Sequence, residues 1–258
     1  MSNLITHKSL EHRIAVVTGA SSGIGEATAQ RLAELGASVA VMGRRTDKLS
    51  RLVESMTSQG GKAIAVPLDV TDKEAVFSAA QSVSERLGRV DLVVNNAGVQ
   101  LISPLEDVRI EEWQQQIDLN VSGVMNVFGA FLPHLIAAAD EGKPADLVLS
   151  SSIAAKRILE KFSIYSSTKA YLTHFARLAR LELGRKMVRV NAIEPGMVDT
   201  ELPDHVTDPD ASTMMAELID TIDVLQPQDI AETIALITSL PRHVNISEVT
   251  VLPTAQAI

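Results

Sequence analysis

The chain has 258 residues, 23 basic and 32 acidic side chains, a formal net charge of −9, and 46% hydrophobic residues. This is ordinary globular usage at a length that fills a core without metal or disulfide staples, and it excludes a disordered or collagen-like chain. The absence of cysteine excludes thiol catalysis and thiolate zinc sites, and the acidic balance argues against nucleic acid or an anionic membrane as partner.

Met1 to Arg13 is polar and lacks an apolar run of secretory type, so a cytoplasmic protein is expected. Short β-branched runs then alternate with helical patterns. Strands are expected at 14–17, 38–42, 63–67, 92–95, 147–150, 188–192 and 249–252. Helices are expected at 24–35, 47–59, 73–87, 111–139, 165–183 and 229–240. That alternation predicts an α/β fold, a Rossmann-type doubly wound sheet of seven mostly parallel strands with helices on both faces. The strand runs are almost continuously apolar, as strands covered on both faces must be. The uncharged stretch 121–139 contains Asn126, Pro133 and His134 and reads as a buried helix rather than a membrane span. One long irregular segment, 194–211 with Pro195, Pro203 and Pro209, reads as a functional lid. No linker divides the chain, so 1–258 is expected to be one domain, with dinucleotide-binding motifs in 14–98 and catalytic and substrate elements in 99–258.

The first strand runs into Thr18-Gly19-Ala20-Ser21-Ser22-Gly23-Ile24-Gly25, and a helix opens at once. Glycines there let backbone approach a pyrophosphate, whose charge suits the free N–H groups of a helix start. The same residues spell Gly-x-Ser-x-Gly, which would make Ser21 a hydrolase nucleophile with His174, His205 or His243 as base. Position argues against that reading, because only one strand precedes the motif. The second strand ends in Gly43-Arg44-Arg45, with no carboxylate before Asp47. Two guanidiniums suit the 2′-phosphate of NADP better than the bare ribose of NAD. Leu68-Asp69-Val70 is expected to close the third strand and offer a carboxylate to an adenine amino group.

Tyr165 and Lys169 are four apart at the start of a helix and share one face. An ammonium near a phenol is expected to bring its pKa down towards neutrality, where proton transfer is efficient. Ser152 follows the fifth strand and would lie at the same carboxyl end of the sheet, where open α/β folds bind ligands. Ser166 to Lys169 also fits Ser-x-x-Lys, but the companion motifs of penicillin-recognising enzymes are missing.

Thr18 to Gly25, Asn95-Asn96-Ala97-Gly98, Asn120, Ser152, Tyr165 to Lys169 and Asn191-Ala-Ile-Glu-Pro-Gly196 resemble, in order, the motif set of the classical short-chain dehydrogenases/reductases. The resemblance spans essentially the whole chain. It implies Tyr165 as general acid or base, Lys169 as the group that tunes it and holds the nicotinamide ribose, Ser152 on the substrate oxygen, and Asn120 holding a relay water. It implies a cofactor cradle of Gly19, Ser21, Ser22, Gly23, Ile24, Gly25, Arg44, Arg45, Asp69, Val70, Asn96, Ala97 and Gly98. Pro195, Gly196, Val198 and Thr200 would line the nicotinamide. The C-terminal stretches 226–231, 243–249 and 252–256 are similar to a branch containing clavulanaldehyde reductase and NADP-dependent hydroxy-acid dehydrogenases.

The resemblance therefore implies an NADP(H)-dependent carbonyl reductase for a small ketone, aldehyde or hydroxy acid. An NAD-dependent alcohol, steroid or sugar dehydrogenase and a non-catalytic NADP sensor are the alternatives. A homo-oligomer, a dimer of dimers, is expected, with no nucleic acid or membrane partner. The six histidines (7, 12, 134, 174, 205 and 243) lack metal-ligand spacing. Lys156, Arg157 and Lys161 stand between Ser152 and Tyr165, where one could receive a substrate carboxylate. The lid acids Glu201, Asp204, Asp208 and Asp210 are expected to repel an anionic protein partner.

Overall fold

A computed structural model describes residues 9–256, apart from the side chains of Leu218 and Asp220. His7 lies outside them. Seven strands form one sheet: β1 (Ile14–Thr18), β2 (Ser38–Gly43), β3 (Lys62–Pro67), β4 (Leu92–Asn95), β5 (Asp146–Ser150), β6 (Arg189–Pro195) and β7 (Glu248–Val251). All pairs are parallel, in the order β3-β2-β1-β4-β5-β6-β7. The chain begins mid-sheet, builds outwards to β3, then crosses back beside β1 with β4. The crevice beyond the carboxyl ends of β1 and β4 is thus the topological switch point.

The helices are α1 (Gly23–Glu34), α2 (Thr46–Ser58), α3 (Lys73–Leu87), α4 (Ile110–Ile117), α5 (Val124–Asp140), α6 (Ser163–Leu183), α7 (Pro209–Asp220) and α8 (Pro227–Ser239). One core packs α3, α5 and α6 on one face of the sheet, around Phe131, Leu135, Leu147, Leu149 and Leu172. The other packs α1, α2 and α8 on the opposite face, around Leu32, Val39, Val41, Leu49 and Ile234. Strand side chains alternate between these two cores, which explains their continuous apolar character.

Three expectations need correction. The helical pattern 111–139 is one continuous helical segment, Ile110–Asp140, but not a regular α-helix throughout: α4 and α5 are joined by a π-turn, Asp118–Gly123, with Asn120 buried inside it. The combined segment Ile110–Asp140 is long and apolar enough to cross a membrane by length and composition. In the fold Val124, Val127, Phe131 and Leu135 lie fully inside the protein core. The stretch 194–211 is also less irregular than its prolines suggest. β6 runs through Pro195, and Pro209 opens α7, where proline suits a first-turn position with no N–H partner. Asp208 caps that helix by accepting from the Ala211 N–H at 2.8 Å. Finally, β3 stops at Pro67, so Asp69 lies just beyond the strand.

The amino end of the sheet is closed by charge. Arg13, just before β1, donates to Asp91 at 2.6 Å and to Asp146 at 2.7 Å. Arg189, at the start of β6, meets Asp146 through two bonds of 2.6 and 2.8 Å and donates to the Thr238 and Leu240 carbonyls. All four side chains are buried. Each stands at or just before the first residue of its strand, so the network pins the starts of β1, β4, β5 and β6 to the end of α8. The carboxyl end remains for chemistry.

Candidate active site

Between β1 and α1 the backbone folds into a tight cradle. Gly19 and Gly23 have φ of +65° and +54°, which a side chain would strain. A Cβ on Gly19 would stand 2.9 Å from Ala97 Cα, and one on Gly25 would run into the Gly19 carbonyl. The turn is held by Thr18, whose hydroxyl accepts from the Asn96 and Ala97 N–H groups at 2.9 and 3.0 Å. Asn95 donates to the Val124 carbonyl at 2.9 Å and Ser150 to Asn96 Oδ1 at 3.0 Å, so β4 and β5 brace the same turn. Ile24 packs against the core beneath α1, Ser21 and Ser22 turn to Arg45, and Gly98 stands beside Asn120 and Lys169.

The two arginines after β2 part company. Arg45 folds inwards, with Nε donating to Ser21 at 2.9 Å and Nη2 to Ser22 at 2.5 Å. Arg44 stays exposed, 3.9 Å from Asp69. Asp69 accepts from the Thr71 N–H at 2.9 Å and hydroxyl at 2.8 Å, and Val70 is buried beside Gly123. A cavity of about 530 Å³ opens beside them, lined in part by Arg44, Asp69, Thr71 and Leu119.

Tyr165 and Lys169 sit in the first turns of α6, both buried. Lys169 Nζ lies 5.7 Å from the Tyr165 ring centroid and donates to the Ser150 carbonyl at 2.8 Å. Here the sequence argument about the phenol fails. Burial pushes Tyr165 up to about 12, and the hydrogen bond with Ser152 only moderates that rise. Burial also draws Lys169 down to about 8. Desolvation favours the neutral form of each group. At neutral pH Tyr165 is a protonated phenol.

Ser152 caps the turn after β5, its Oγ accepting from the Ala154 N–H at 3.1 Å. Asn120 is locked in the π-turn: Oδ1 accepts from the Val99 N–H at 2.8 Å, and Nδ2 donates to the Val99 carbonyl at 2.9 Å and Thr168 at 3.1 Å. π-turns inside helices recur at functional sites, and this one brings Asn120 beside Lys169. A Cβ on Gly98 would stand 3.2 Å from Asn120 Oδ1 and 3.5 Å from Lys169 Nζ, so Gly98 keeps that space open. Asn120, Ser152, Tyr165 and Lys169 therefore stand together in the structure.

Beyond Pro195 the chain turns over the site. Gly196 donates to the Val251 carbonyl at 2.8 Å, Val198 bridges to Leu225, and the Thr200 methyl faces Gly23. Ala211 and Met215 of α7 join Ile102, Ala154, Phe162 and Tyr165 in an apolar cluster, with Met197 and Val206 packed against it. The lid acids are not a uniformly repulsive surface. Glu201 pairs with Arg45 and Lys48 at 2.6 and 2.7 Å, and buried Asp208 pairs with Arg109 at 3.0 Å. The candidate carboxylate receptors are also engaged: Lys156 meets buried Glu194 at 2.5 Å, and Lys161 stands 3.8 Å from Asp208. Arg157 is exposed. Sequence reasoning missed Ser150 as the Lys169 acceptor and Lys48 as a partner in the Arg45 cluster. Lys48 shares the first turn of α2 with Asp47, which was the only signal available.

Comparison with known proteins agrees with this geometry. The family model for short chain dehydrogenase matches residues 13–211. An uncharacterised oxidoreductase of Listeria innocua is 34% identical over 249 residues, covering 96% of this chain and 98% of the relative. Among solved structures, the closed form of a serine dehydrogenase complexed with NADP+ superposes with a TM-score of 0.86 at 29% identity, over 95% of this chain and 96% of that one. An alcohol dehydrogenase from the archaeon Thermococcus sibiricus, complexed with 5-hydroxy-NADP, does so with 0.84 at 30% identity, over 95% and 98%. The order of motifs, the strand order and the whole-length similarity agree, and the chain belongs to the classical short-chain dehydrogenase/reductase family of oxidoreductases.

Proposed function

We propose that the protein is an NADPH-dependent carbonyl reductase acting reversibly on small ketones, aldehydes or hydroxy acids. The observation that carries this reading is the grouping of buried Tyr165 with Lys169, Ser152 and Asn120, with Gly98 standing directly against Asn120 and Lys169. The cradle fits a dinucleotide: a Cβ on Gly19 or Gly25 would close it, and Arg45, Ser21 and Ser22 gather donors at its outer end. When bound, the nicotinamide would supply or accept hydride. Arg44 and Arg45 would take the 2′-phosphate, Asp69 and Val70 the adenine, and Asn96, Ala97, Pro195, Gly196, Val198 and Thr200 the rest of the cofactor. NADP-bound structural neighbours support the choice of phosphate-bearing cofactor.

The residues then divide the work by their chemistry. A carbonyl oxygen that gains negative charge needs donors aimed at it, and the hydroxyls of Ser152 and Tyr165 are the two at hand. Tyr165, held as phenol by burial, gives up its proton to that oxygen. Lys169 places positive charge behind the phenol and stabilises the phenolate that remains. Asn120, which borders Gly98 together with Lys169, would hold the water that returns a proton. The apolar cluster of Phe162, Met197, Val206 and Met215 suits a small, weakly polar substituent on the substrate.

We also propose a cytoplasmic homo-oligomer, a dimer of dimers, because α4 and α6 expose Ile110, Ile117, Tyr171, Leu178 and Leu181. Light scattering should give a mass above one chain. The function is tested by a panel of aldehydes, ketones and hydroxy acids assayed with NADPH and NADP+. Turnover that falls at least ~10²-fold in Tyr165→Phe supports the mechanism. Tight NADPH binding without turnover of any compound would instead favour a sensor.

A further inference from the structure

The cationic cluster at the outer end of the cradle is filled from within. Arg45 directs two of its nitrogens to Ser21 and Ser22, and its Nη1 donates to Glu201 Oε2 at 2.6 Å. Lys48 Nζ donates to Glu201 Oε1 at 2.7 Å. A guanidinium, an ammonium and nearby serine hydroxyls gathered around one anion form the donor set that recognises phosphate. Here the anion is a carboxylate delivered by the segment after β6. The pairing with Lys48 and Arg45 and a bond with Ser22 hold Glu201 at about 2, so it stays charged throughout the working pH range. The side chains of Arg45, Lys48 and Glu201 are 40%, 36% and 42% exposed, so an incoming anion can reach them.

The carboxylate also belongs to the lid. Thr200 next to it packs its methyl against Gly23. The chain then passes through the short helix Pro203–His205 to α7, whose Ala211 and Met215 join the cluster around Tyr165. Glu201 and the residues that cover the phenol thus lie on one continuous stretch of chain.

We propose that Glu201 determines nucleotide selectivity as an internal stand-in for the 2′-phosphate: the phosphate must displace its carboxylate from Arg45 and Lys48, and that displacement frees residues 199–208. The inference rests on the cofactor reading above. Two anions compete for one set of donors, so the cost of removing Glu201 is subtracted from the affinity for the phosphate. A nucleotide without that phosphate leaves Glu201 in place and carries no such cost. Linkage requires the converse: phosphate binding must loosen the segment by the same factor that loosening it improves phosphate binding.

The test uses adenosine 2′,5′-bisphosphate and 5′-AMP as probes, because neither carries a nicotinamide that would engage the rest of the lid. Calorimetry on the intact protein and on Glu201→Gln gives both affinities. Hydrogen exchange across 199–208 reports the segment. The parent should prefer the bisphosphate, and Glu201→Gln should bind it roughly 10-fold tighter, a coupling of ordinary size. AMP binding should change less than about two-fold, since that ligand does not meet Glu201. The bisphosphate should raise exchange across 199–208 in the parent, whereas in Glu201→Gln exchange should be raised already and change little. A bisphosphate affinity that is unchanged or weaker in Glu201→Gln, in a parent that prefers the bisphosphate, overturns the proposal and leaves the cofactor reading standing. If neither the parent nor Glu201→Gln distinguishes the two nucleotides, both readings are overturned.

Discussion

Lys169 lies over the ring of Tyr165: Nζ stands 5.7 Å from the ring centroid and donates a hydrogen bond of 2.8 Å to the Ser150 carbonyl. Both side chains are buried, and an ammonium fixed in such a place carries a desolvation cost that one carbonyl offsets only partly. The arrangement serves chemistry at the expense of stability, a common trade at active sites.

That trade gives the first prediction. Burial lowers Lys169 from 10.5 to about 8. Between those values the unfolded chain holds a proton that the folded protein has released, so stability rises with pH across that window. Below about pH 8 both states carry the charge, and its full burial cost is present. Lys169→Met removes the charge, so it should be more stable than the parent at pH 7, by ~1–2 kcal/mol after the loss of one hydrogen bond. The advantage should shrink by pH 9.5, where Tyr165 stays protonated in the folded protein and its onset of ionisation in the unfolded chain is common to parent and variant. Turnover should fall by at least ~10² at both values. Urea midpoints and rates at pH 7 and 9.5 check this, and a variant less stable than the parent at pH 7 would contradict it.

Gly25→Ala tests the cradle. A methyl there meets the Gly19 carbonyl and crowds Asn96, both fixed by neighbouring structure. The turn has to open, and overpacking of this kind costs ~1–3 kcal/mol. Gly60 is the internal control, because its Cβ would meet nothing within 4 Å, although its φ of +87° carries a backbone strain of its own. Gly25→Ala should lose both thermal stability and NADPH affinity, whereas Gly60→Ala should lose stability alone. Equal NADPH binding in the two variants would remove Gly25 from the cofactor site.

The carboxyl end of the sheet was legible in the sequence because chemistry there demands particular residue types at short spacing. Thr18 to Gly25, Asn95 to Gly98 and the Tyr165–Lys169 pair each fit within one turn of chain. Their strands and helices followed from apolar periodicity to within a residue or two for most elements. The π-turn at Asn120 was invisible because its cause is tertiary: Asn120 bonds to the Val99 backbone, 21 residues away. α7 had a local signal that went unread, since Asp208-Pro209 is a cap followed by a first-turn proline. The height of the Tyr165 pKa depends on how much protein covers it, and no spacing reports that.

The amino end of the sheet yields a stability prediction independent of catalysis. Asp146 receives both Arg13 and Arg189 and is itself fully buried. Burial pushes neighbouring Asp91 above its ordinary range, although Arg13 pulls the other way. Replacing Asp146 with Ala leaves two buried guanidiniums short of a counter-charge, and breaking a buried pair from one side costs about 3–5 kcal/mol. Asp146→Ala should therefore shift the urea midpoint strongly. The folded fraction should keep its KM for NADPH, because the network stands at the opposite end of the strands from the cradle. A normal midpoint would show that the network is dispensable.

Lys156 separates a structural reading from a substrate-binding one. Its ammonium meets Glu194 at 2.5 Å and Glu248 at 3.4 Å, and Arg177 shares Glu248 through bonds of 2.7 and 3.0 Å. Glu194 is fully buried at the end of β6, where Thr173 and Thr250 supply its other hydrogen bonds at 3.1 and 2.9 Å. Lys156 thus neutralises a buried carboxylate and has little freedom to meet a substrate anion. Lys156→Ala leaves that carboxylate with hydroxyl hydrogen-bond partners and only the Arg177 charge acting at longer range, a loss worth about 1–3 kcal/mol. The variant should lose stability on that scale while the KM ratio between carboxylate-bearing and neutral substrates stays constant. Lys156→Ala with Glu194→Gln should recover part of the loss, since the neutral amide no longer needs the ammonium. A KM that rises only for acidic substrates, at unchanged stability, would reassign Lys156 to the substrate.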